Sequence, residues 1–219
     1  MNPLLLIPAF NEEPYIERLV YRAKAHLPDV LVIDDGSSDT TAALAEGAGA
    51  TVHRLRSNKG KGEALKAGFQ YAAGQGREWV LTMDGDGQHN PDDISNFLPL
   101  LTEYDLILGN RMDDAGRIPL MRRIANLFSS LLVSLLCFRR IRDSQSGFRA
   151  YRVDLLRQVP LRSSRYDLET EVLIKAVRKG FRIGHCRVQT IYAGEASRFR
   201  TISDSLRFFV VIARSFLWW

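Results

Sequence analysis

The sequence is poor in cysteine, has no long hydrophobic run and contains no internal repeat. Its only cysteines are Cys137 and Cys186, which excludes a disulfide scaffold and predicts two reduced, structural thiols. The longest uncharged segment, 124–138, has 15 residues, whereas a spanning helix needs about 20 apolar residues. The N-terminal apolar run is too short for a signal peptide and lacks a basic region before it. These absences predict a cytosolic chain without a spanning helix.

Charge is divided unevenly along the chain. Residues 1–109 contain 9 Lys and Arg against 16 Asp and Glu, a net −7, and residues 110–219 contain 21 against 9, a net +12. Such a basic half indicates a phosphate-bearing ligand or a membrane surface. Its basic residues are not gathered on one recognition helix, so no nucleic-acid partner is predicted.

Short apolar runs alternate with helical patterns in the first half. This alternation predicts an α/β fold with a central, mostly parallel sheet and helices on both faces. The predicted strands are 4–9, 30–34, 51–55, 79–84 and 106–109, and the predicted helices are 12–25, 40–47, 61–73 and 91–101. The second half predicts a long apolar helix at 118–138, a short strand, a helix near 168–178, one or two strands in 181–192 and a helix at 202–219. We expect one domain over 1–200, with halves 1–109 and 110–200, and an amphipathic C-terminal helix at 201–219.

Polar motifs follow the predicted strands of the first half. Because ligands bind at the carboxyl ends of strands in such sheets, these motifs predict one shared site. The motifs are Pro8-Ala9-Phe10-Asn11-Glu12, Asp34-Asp35-Gly36-Ser37-Ser38-Asp39, Asn58-Lys59-Gly60-Lys61-Gly62, Asp84-Gly85-Asp86-Gly87-Gln88-His89 and Gly109-Asn110-Arg111.

Asp84 and Asp86 carry the clearest chemical signal. Residues i and i+2 of an extended segment project to the same side, so the two carboxylates are expected to point together. Carboxylate oxygens suit Mg²⁺ or Mn²⁺, and such an ion would bridge them to a diphosphate. The alternative is a simple turn, because Asp and Gly are common in turns. Their place after a buried strand, followed by Gln88 and His89, favours the metal site.

Two further motifs are candidates for ligand binding. Asp35 is a candidate hydrogen-bond acceptor for a base or ribose, and the alternative is a helix N-cap, for which residues 37–39 are better suited. Lys59 and Lys61 flank Gly60 in a loop that opens a helix, which favours an anion. The loop lacks the spacing of a P-loop, and a solvated loop is the alternative.

In this order the motifs resemble those of family 2 glycosyltransferases over about residues 3–200. The acidic pairs are shared across that family, whereas the segment 143–149, Asp-Ser-Gln-Ser-Gly-Phe-Arg, is more particular to the branch with dolichol-phosphate mannose synthase and polyprenyl-phosphate glycosyltransferases. The resemblance implies a GT-A, Rossmann-like fold and an inverting transfer from a nucleotide-sugar donor to a polyprenyl phosphate acceptor.

The resemblance also implies roles for individual residues. The metal, Mg²⁺ or Mn²⁺, is expected on Asp84, Asp86 and Gln88. The donor nucleotide is expected against Pro8, Ala9, Glu12 and Asp35, with Arg198 near the diphosphate. From their place in the motifs, we also expect Asn11, Lys59, Lys61 and Arg149 in the donor site. The acceptor phosphate is expected at Arg111 and Arg122, with the adjacent Arg123 as the alternative to Arg122.

A phosphate acceptor also agrees with the basic second half. A hydroxyl acceptor needs a general base, whereas a lipid monophosphate already carries an anionic oxygen and instead needs cations beside it. Arg111, Arg122 and Arg149 are the candidate cations, since guanidinium matches phosphate oxygens in pairs. Asp143 is the candidate base if the acceptor is a hydroxyl, and a loop or capping carboxylate is the alternative.

Two apolar helices predict a place at the membrane surface. The segment 206–219 combines aromatic residues with arginines, as interfacial helices do, and the alternative is packing on its own domain or on a second copy. The segment 124–138, with Ser129, Ser130 and Ser134, either lines the acceptor groove or is a core helix. We expect a cytoplasmic protein held peripherally on the cytoplasmic membrane face, by itself or through a homo-oligomer or a membrane-protein partner.

Other functions compete with this one. A family 2 transferase that acts on a saccharide hydroxyl has the same donor motifs, and a non-catalytic nucleotide-sugar-binding module would not need its intact acidic pairs. A sugar nucleotidyltransferase would need a glycine-rich loop with Arg and Lys near its N-terminus. A dinucleotide dehydrogenase would need Gly-x-Gly-x-x-Gly after the first strand, where this chain has Ala-Phe-Asn-Glu-Glu.

Overall fold

The computed structural model of the chain describes residues 1–113, 118, 120–191 and 201–215, the last segment with side chains from 208 onward. Its strands are β1 (Pro3–Ala9), β2 (Val30–Asp34), β3 (Thr51–Arg54), β4 (Trp79–Thr82), β5 (Leu106–Asn110), β6 (Arg149–Arg152) and β7 (Ile183–Arg187). Its helices are α1 (Ile16–Lys24), α2 (Thr41–Gly47), α3 (Lys61–Gly74), α4 (Ile94–Phe97), α5 (Leu120–Cys137), α6 (Val153–Gln158), α7 (Asp167–Arg178) and α8 (Thr201–Ser215).

The strands form one mixed sheet in the order β3-β2-β1-β4-β6-β5-β7. β6 lies antiparallel between β4 and β5, and the other pairs are parallel. The α/β fold with a mostly parallel sheet is therefore confirmed. Because β6 runs the other way, its first residue, Arg149, pairs with Thr82 and Leu108 near the ends of their strands. The basic half thus places a loop at the edge of the sheet where the acidic half has its polar motifs.

Apolar layers cover both faces of the sheet. One layer contains Ile16 of α1 and Phe97 of α4, and the other contains Phe69 of α3. The cysteines are free and buried in these layers, Cys137 in the layer with Phe69 and Cys186 in the other. Burial raises the pKa of the Cys137 thiol to about 11 and that of Cys186 to about 12. Both thiols are therefore protonated near neutral pH, in agreement with a structural role.

Two predicted helices differ from those in the structure. The segment 91–101 is not one α-helix, because 3-10 turns lie on either side of the short α4. Pro99 explains why α4 ends at Phe97, since proline has no N–H group to donate and its ring clashes with the preceding turn. The helix predicted at 12–25 begins only at Ile16, after a loop in which Asn11 has a φ of +52°.

The strand predictions also need correction. β3 is not covered on both faces, because it is an edge strand and three of its four side chains are exposed. Over residues 181–191, which the structure describes, there is one strand, β7, in agreement with the one or two expected, and Thr190 then forms an isolated bridge with His89. α6 was missed because its six residues are too few to show a helical period.

The long helix α5 is present, but it is not an ordinary core helix. Ser130 Oγ accepts the N–H of Ser144 at 2.9 Å, and Ser134 Oγ accepts the N–H of Ile141 at 2.9 Å. Ser130 and Ser134 therefore face the protein and hold the loop that follows α5 in place. On the opposite side of α5 the large apolar residues are exposed, and they are Leu120, Met121, Ile124, Leu127, Phe128, Leu131, Leu135 and, just beyond the helix, Phe138.

The terminal helix α8 packs on its own domain over the part that the structure describes. It contacts α7, and its residues Val211 and Ser215 are buried. Phe209 and Val210 are about half exposed, at 48% and 45%. This arrangement corresponds to the alternative stated above for the terminal helix, and residues 216–219 lie outside the described part.

Candidate active site

The candidate site lies at the sheet edge where β1, β2 and β4 end. Ala9 pairs with Asp34 at the ends of β1 and β2. In the turn after β4, a Cβ placed on Gly85 would lie 3.2 Å from both the Pro8 carbonyl oxygen and Glu12 Cγ. The structure therefore brings the motifs that follow these three strands into contact.

Side-chain hydrogen bonds join the loop after β1 to the loop after β2. The Asn11 N–H donates to Ser37 Oγ at 2.9 Å, and Asn11 Oδ1 accepts the N–H of Ser38 at 2.8 Å. Asp39 Oδ1 accepts the N–H of Thr41, the first residue of α2, at 3.0 Å, whereas the N-cap position is taken by Thr40. Asn11 thus shapes this rim through both its backbone and its side chain.

Asp35 holds in place the loop 58–60, which precedes α3. Its Oδ1 accepts the N–H of Lys59 and its Oδ2 accepts the N–H of Gly60, each at 2.8 Å. Burial raises the pKa of Asp35 although both hydrogen bonds oppose that change. Gly60 has a φ of +98°, which favours glycine, and Lys59 is exposed. Asp35 therefore orders this loop at the rim of the site.

Asp84, whose side chain is 27% exposed, lies at the centre of a partly buried ionic cluster. Its Oδ1 is 2.6 Å from Lys61 Nζ, its Oδ2 is 3.7 Å from His89 Nε2, and Lys61 Nζ is also 3.0 Å from Glu169 Oε2. Burial alone would raise the pKa of Asp84, but Lys61 and His89 hold it well below its usual range. Burial alone would lower the pKa of Lys61, but the two carboxylates raise it. Lys61 is therefore a charged group bound between two carboxylates, which differs from the expected contact with a donor phosphate.

Asp86 is placed differently from Asp84. β4 ends at Thr82 and the chain then turns at 85–86, so the strand alternation used to predict parallel carboxylates does not apply. Asp86 Oδ1 accepts the N–H of Gln88 at 3.0 Å. Burial and the negative charge of Asp84 raise the pKa of Asp86. Asp84 is thus held by Lys61 and His89, whereas Asp86 experiences the repulsion of Asp84.

These residues fit a divalent cation that is completed by a ligand. Among the described residues, no three His, Cys, Asp or Glu side chains come together as a metal cluster. Mg²⁺ is commonly held by one or two carboxylates together with substrate phosphates and water, so two carboxylates are enough. A cation beside Asp86 would also offset the repulsion that raises its pKa. Asp86, Asp84 and Gln88 are therefore the residues that would hold Mg²⁺ or Mn²⁺.

Arg111 and Asp143 form an ion pair with two hydrogen bonds in the basic half of the chain. Arg111 Nε donates to Asp143 Oδ2 at 2.7 Å, and Arg111 Nη2 donates to Asp143 Oδ1 at 3.0 Å. Asp143 is fully buried, which alone would raise its pKa, but Arg111 and the neighbouring N–H groups hold that pKa below 3.8. Asp143 is therefore an ionised partner of Arg111, and this geometry does not favour its expected role as a general base.

Arg149 belongs to the framework of the loop 143–148. It is 1% exposed, and its guanidinium donates to the carbonyl oxygens of Ser144, Ser146 and Glu169 at 2.7, 2.7 and 2.8 Å. Its donors are thus directed at the backbone, which differs from the expected contact with a ligand. Gly147 of the same loop leaves room for the ionic cluster, because a Cβ there would lie 2.5 Å from Asp84 Oδ2.

The remaining predicted residues lie in different surroundings. Arg122 is half-buried on the side of α5 that faces the protein, whereas Arg123 is exposed. This difference favours Arg122 over Arg123 for a ligand within the site. Pro8 and Ala9 are buried at the end of β1, and Arg198 lies outside the described residues.

Glu169 was not predicted from the sequence. It is 6% exposed on α7, its Oε2 binds Lys61, and its Oε1 has no hydrogen-bond partner among the described residues. A signal was present, because Glu169 lies next to Leu168 and three positions before Val172 in an apolar stretch, and in the structure all residues of α7 from 168 to 176 are buried. Carboxylates are rarely buried without a partner, so an acidic residue at such a position indicates a buried cation nearby.

Comparison with known proteins agrees with this fold and identifies the family. The sequence profile described as Glycosyl transferase family 2 matches residues 5–159. The chain is 31% identical over 213 residues to UDP-N-acetylglucosamine--dolichyl-phosphate N-acetylglucosaminyltransferase of Methanococcus voltae, covering 86% of this chain and 85% of that protein. It is 32% identical over 196 residues to undecaprenyl-phosphate mannosyltransferase of Micrococcus luteus, covering 84% and 81%.

A solved structure shares the fold. Glucosyl-3-phosphoglycerate synthase from Mycobacterium tuberculosis superposes with a TM-score of 0.75 at 23% identity, covering 99% of this chain and 79% of that one. This chain therefore has the expected GT-A-like fold, a mixed sheet with helices on both sides. The match of the family profile over most of the chain, together with relatives above 30% identity, shows that this chain belongs to glycosyl transferase family 2.

Proposed function

We propose that this glycosyltransferase moves a sugar, with inversion, from a UDP- or GDP-sugar to a polyprenyl phosphate. An anionic oxygen of the lipid phosphate forms a bond to the anomeric carbon. The bond from that carbon to the donor diphosphate breaks, and its electron pair leaves with the nucleoside diphosphate. The names of the relatives, which specify dolichyl phosphate and undecaprenyl phosphate, support this acceptor class.

The Arg111–Asp143 ion pair is the observation that carries the choice of acceptor. A hydroxyl acceptor needs a general base with a pKa near the working pH. Asp143 is fully buried, and its pKa is held below 3.8 by Arg111, so it is a poor proton acceptor near neutral pH. A lipid phosphate needs no such base, because its attacking oxygen is already anionic.

Arginines on the acceptor side provide the cations that a phosphate needs. Arg111 is fixed by Asp143 at the end of β5, and Arg122 lies on the protein-facing side of α5. We propose that these two guanidiniums receive the lipid phosphate. Arg198, which the sequence places after β7, is proposed to act on the leaving diphosphate.

The donor is proposed to bind where the ends of β1, β2 and β4 meet. Pro8, Ala9 and Glu12 lie at that rim, and Asp35 with Asn11 orders the loops beside it. A divalent cation on Asp86, with Asp84 and Gln88, would supply electrostatic stabilisation of the diphosphate as negative charge develops on it.

The exposed face of α5, defined by the eight apolar residues named above, is proposed to lie on the membrane surface. α5 is long and apolar enough to cross a membrane by length and composition, with 17% of it buried. Its other side, however, is joined to the protein through Ser130 and Ser134, which favours a helix lying in the interface. Arg123, Arg139 and Arg140 are exposed at its two ends, where they would meet anionic headgroups.

Hydrophobic insertion is expected to outweigh charge attraction on this face. Full burial of a large apolar side chain contributes roughly 1.5–3 kcal/mol, whereas a basic residue near an anionic leaflet contributes about 1 kcal/mol. The α5 face carries eight such apolar residues, each about half exposed or more. The proposed location is the cytoplasmic face, where nucleotide sugars are available to a cytosolic domain.

A donor and acceptor screen tests the proposed reaction. The protein is incubated with UDP- and GDP-sugars, Mg²⁺ or Mn²⁺, and either a short polyprenyl phosphate or free saccharides. The expected product is a sugar-linked lipid phosphate with inverted anomeric configuration, identified by mass spectrometry and NMR. Transfer only to saccharides would refute the acceptor class, retention would refute the inverting step, and nucleotide-sugar binding without turnover would indicate a binding module.

Vesicle flotation tests the membrane surface. The variant Leu131→Gln/Leu135→Gln is expected to lose most of its binding to vesicles with anionic lipid, while added salt weakens binding only in part. Tyr21→Gln is the matched control, because Tyr21 is 75% exposed on α1, which packs on the opposite sheet face. Equal binding of the α5 variant and the unaltered protein would refute this placement.

A further inference from the structure

The ammonium of Lys61 is fixed from several sides in the described structure. It contacts Asp84 Oδ1 at 2.6 Å and Glu169 Oε2 at 3.0 Å, and it lies 5.6 Å from the centre of the Tyr166 ring. A Cβ placed on Gly147 would be only 2.8 Å from Lys61 Nζ. The side chain of Lys61 is 12% exposed and that of Glu169 is 9% exposed. The cluster therefore has little room to rearrange.

This cluster joins three separate parts of the chain. Lys61 begins α3, Asp84 follows β4, and Glu169 lies in the first turn of α7 in the basic half. Arg149 ties the same α7 turn to the loop 143–148, because it donates to the carbonyl of Glu169 as well as to that loop. The orientation of Asp84 is thus set from the acceptor side of the protein, through Glu169 and Lys61.

We propose that Lys61 and Glu169 are positioning residues, with Glu169 holding Lys61 and Lys61 holding Asp84 in the orientation that the donor site requires. The inference rests on the proposed function, because it assigns Asp84 to the donor diphosphate and its cation. Neither positioning residue needs to touch the substrate. The arrangement also leaves Glu169 paired with a cation, as Asp143 is.

Displacement of Asp84 should be costly for turnover. A misplacement of about 1 Å in a reacting constellation can cost about 100-fold in rate. Lys61→Met keeps the length of the side chain but removes the contact that holds Asp84, so kcat is expected to fall about 100-fold. Glu169→Gln leaves Lys61 with one carboxylate and is expected to lower kcat about 10-fold. Because the two residues act as one unit, the double variant is expected to be no slower than Lys61→Met alone.

Mn²⁺ binding measured by EPR separates positioning from general damage. Lys61→Met removes a positive charge beside the carboxylates, so Mn²⁺ should bind at least as tightly as in the unaltered protein. A fall in kcat at saturating Mn²⁺ with no loss of Mn²⁺ affinity is the expected pattern. UDP and GDP binding at saturating Mn²⁺ is expected to weaken about 10-fold in the same variant, since the diphosphate meets a misplaced Asp84.

Each substitution has a matched control in the same helix. Lys66 of α3 pairs with Glu63 at 2.9 Å, and its side chain is 18% exposed, close to that of Lys61. Glu171 of α7 is fully buried and pairs with Lys175. Lys66→Met and Glu171→Gln are expected to lower the melting temperature by as much as the test variants, or more, without the loss of kcat.

The outcomes distinguish a failure of this positioning role from a failure of the proposed transferase function. Three results would overturn the inference. The first is a turnover of Lys61→Met within about threefold of that of the unaltered protein, and the second is a parallel loss of Mn²⁺ affinity and kcat. The third is a double variant whose loss of kcat is the product of the two single losses. If the unaltered protein transfers no sugar, the proposed function fails. The nucleotide-binding measurement then decides the inference by itself, and unchanged binding by Lys61→Met would refute it.

Discussion

Replacing Arg149 by methionine tests whether this arginine stabilises the fold or binds a ligand. The guanidinium is 1% exposed and donates to three backbone carbonyls at 2.7 to 2.8 Å. A hydrogen bond to a charged group contributes about 1.5–3 kcal/mol, and neighbouring bonds are not additive. Methionine refills the space of the aliphatic stem but removes all three charged hydrogen bonds to these buried backbone carbonyls. We therefore expect a loss of about 4 kcal/mol in the free energy of unfolding.

Urea unfolding followed by circular dichroism measures this loss. For a chain of this size, a loss of about 4 kcal/mol corresponds to a fall in melting temperature of about 10 °C. Arg152→Met is the control, because Arg152 lies in the same strand with its side chain 48% exposed beside Asp105, and an exposed ion pair contributes at most about 1 kcal/mol. An Arg149→Met variant that keeps its stability but no longer binds the nucleotide would refute the framework role.

Three further predictions concern the site and its surroundings. Asp86→Ala is expected to abolish transfer and Mn²⁺ binding with an unchanged far-UV spectrum, and unchanged turnover would remove the metal assignment. Arg122→Ala is expected to raise the KM for polyprenyl phosphate at least tenfold with little effect on donor binding, whereas Arg123→Ala should affect neither; equal effects of the two variants would contradict the assignment. Burial lowers the pKa of His185 from 6.5 to about 4, and the nearby charges of Arg142, Arg139 and Arg140 contribute. The unfolded chain therefore binds this proton more readily than the folded protein does. The free energy of unfolding should accordingly fall as the pH drops from about 6.5 to 4. His185→Gln should flatten that part of the stability curve measured by urea unfolding, and an unchanged slope would show that another group is responsible.

The order of elements in the first half could be predicted because each strand is a short apolar run with a helical pattern after it. Strand ends and polar motifs coincide there, so the position of Asp35 and Asp84 at one sheet edge followed from the parallel topology alone. Local signals failed where a single residue overrode the pattern. Pro99 interrupts the helix predicted at 91–101.

The sequence by itself determined the fold class, the family and the rim on which the acidic motifs lie, because these depend on periodicity and on residues near one another in the chain. Only the tertiary structure decided which charges are partners. Lys61 and Glu169 are 108 positions apart, and Arg111 and Asp143 are 32 apart. Whether a charged side chain faces a ligand or another charge depends on which strands become neighbours. The insertion of β6 between β4 and β5, which brings the loop before Arg149 onto Asp84, is a long-range pairing that no local pattern encodes.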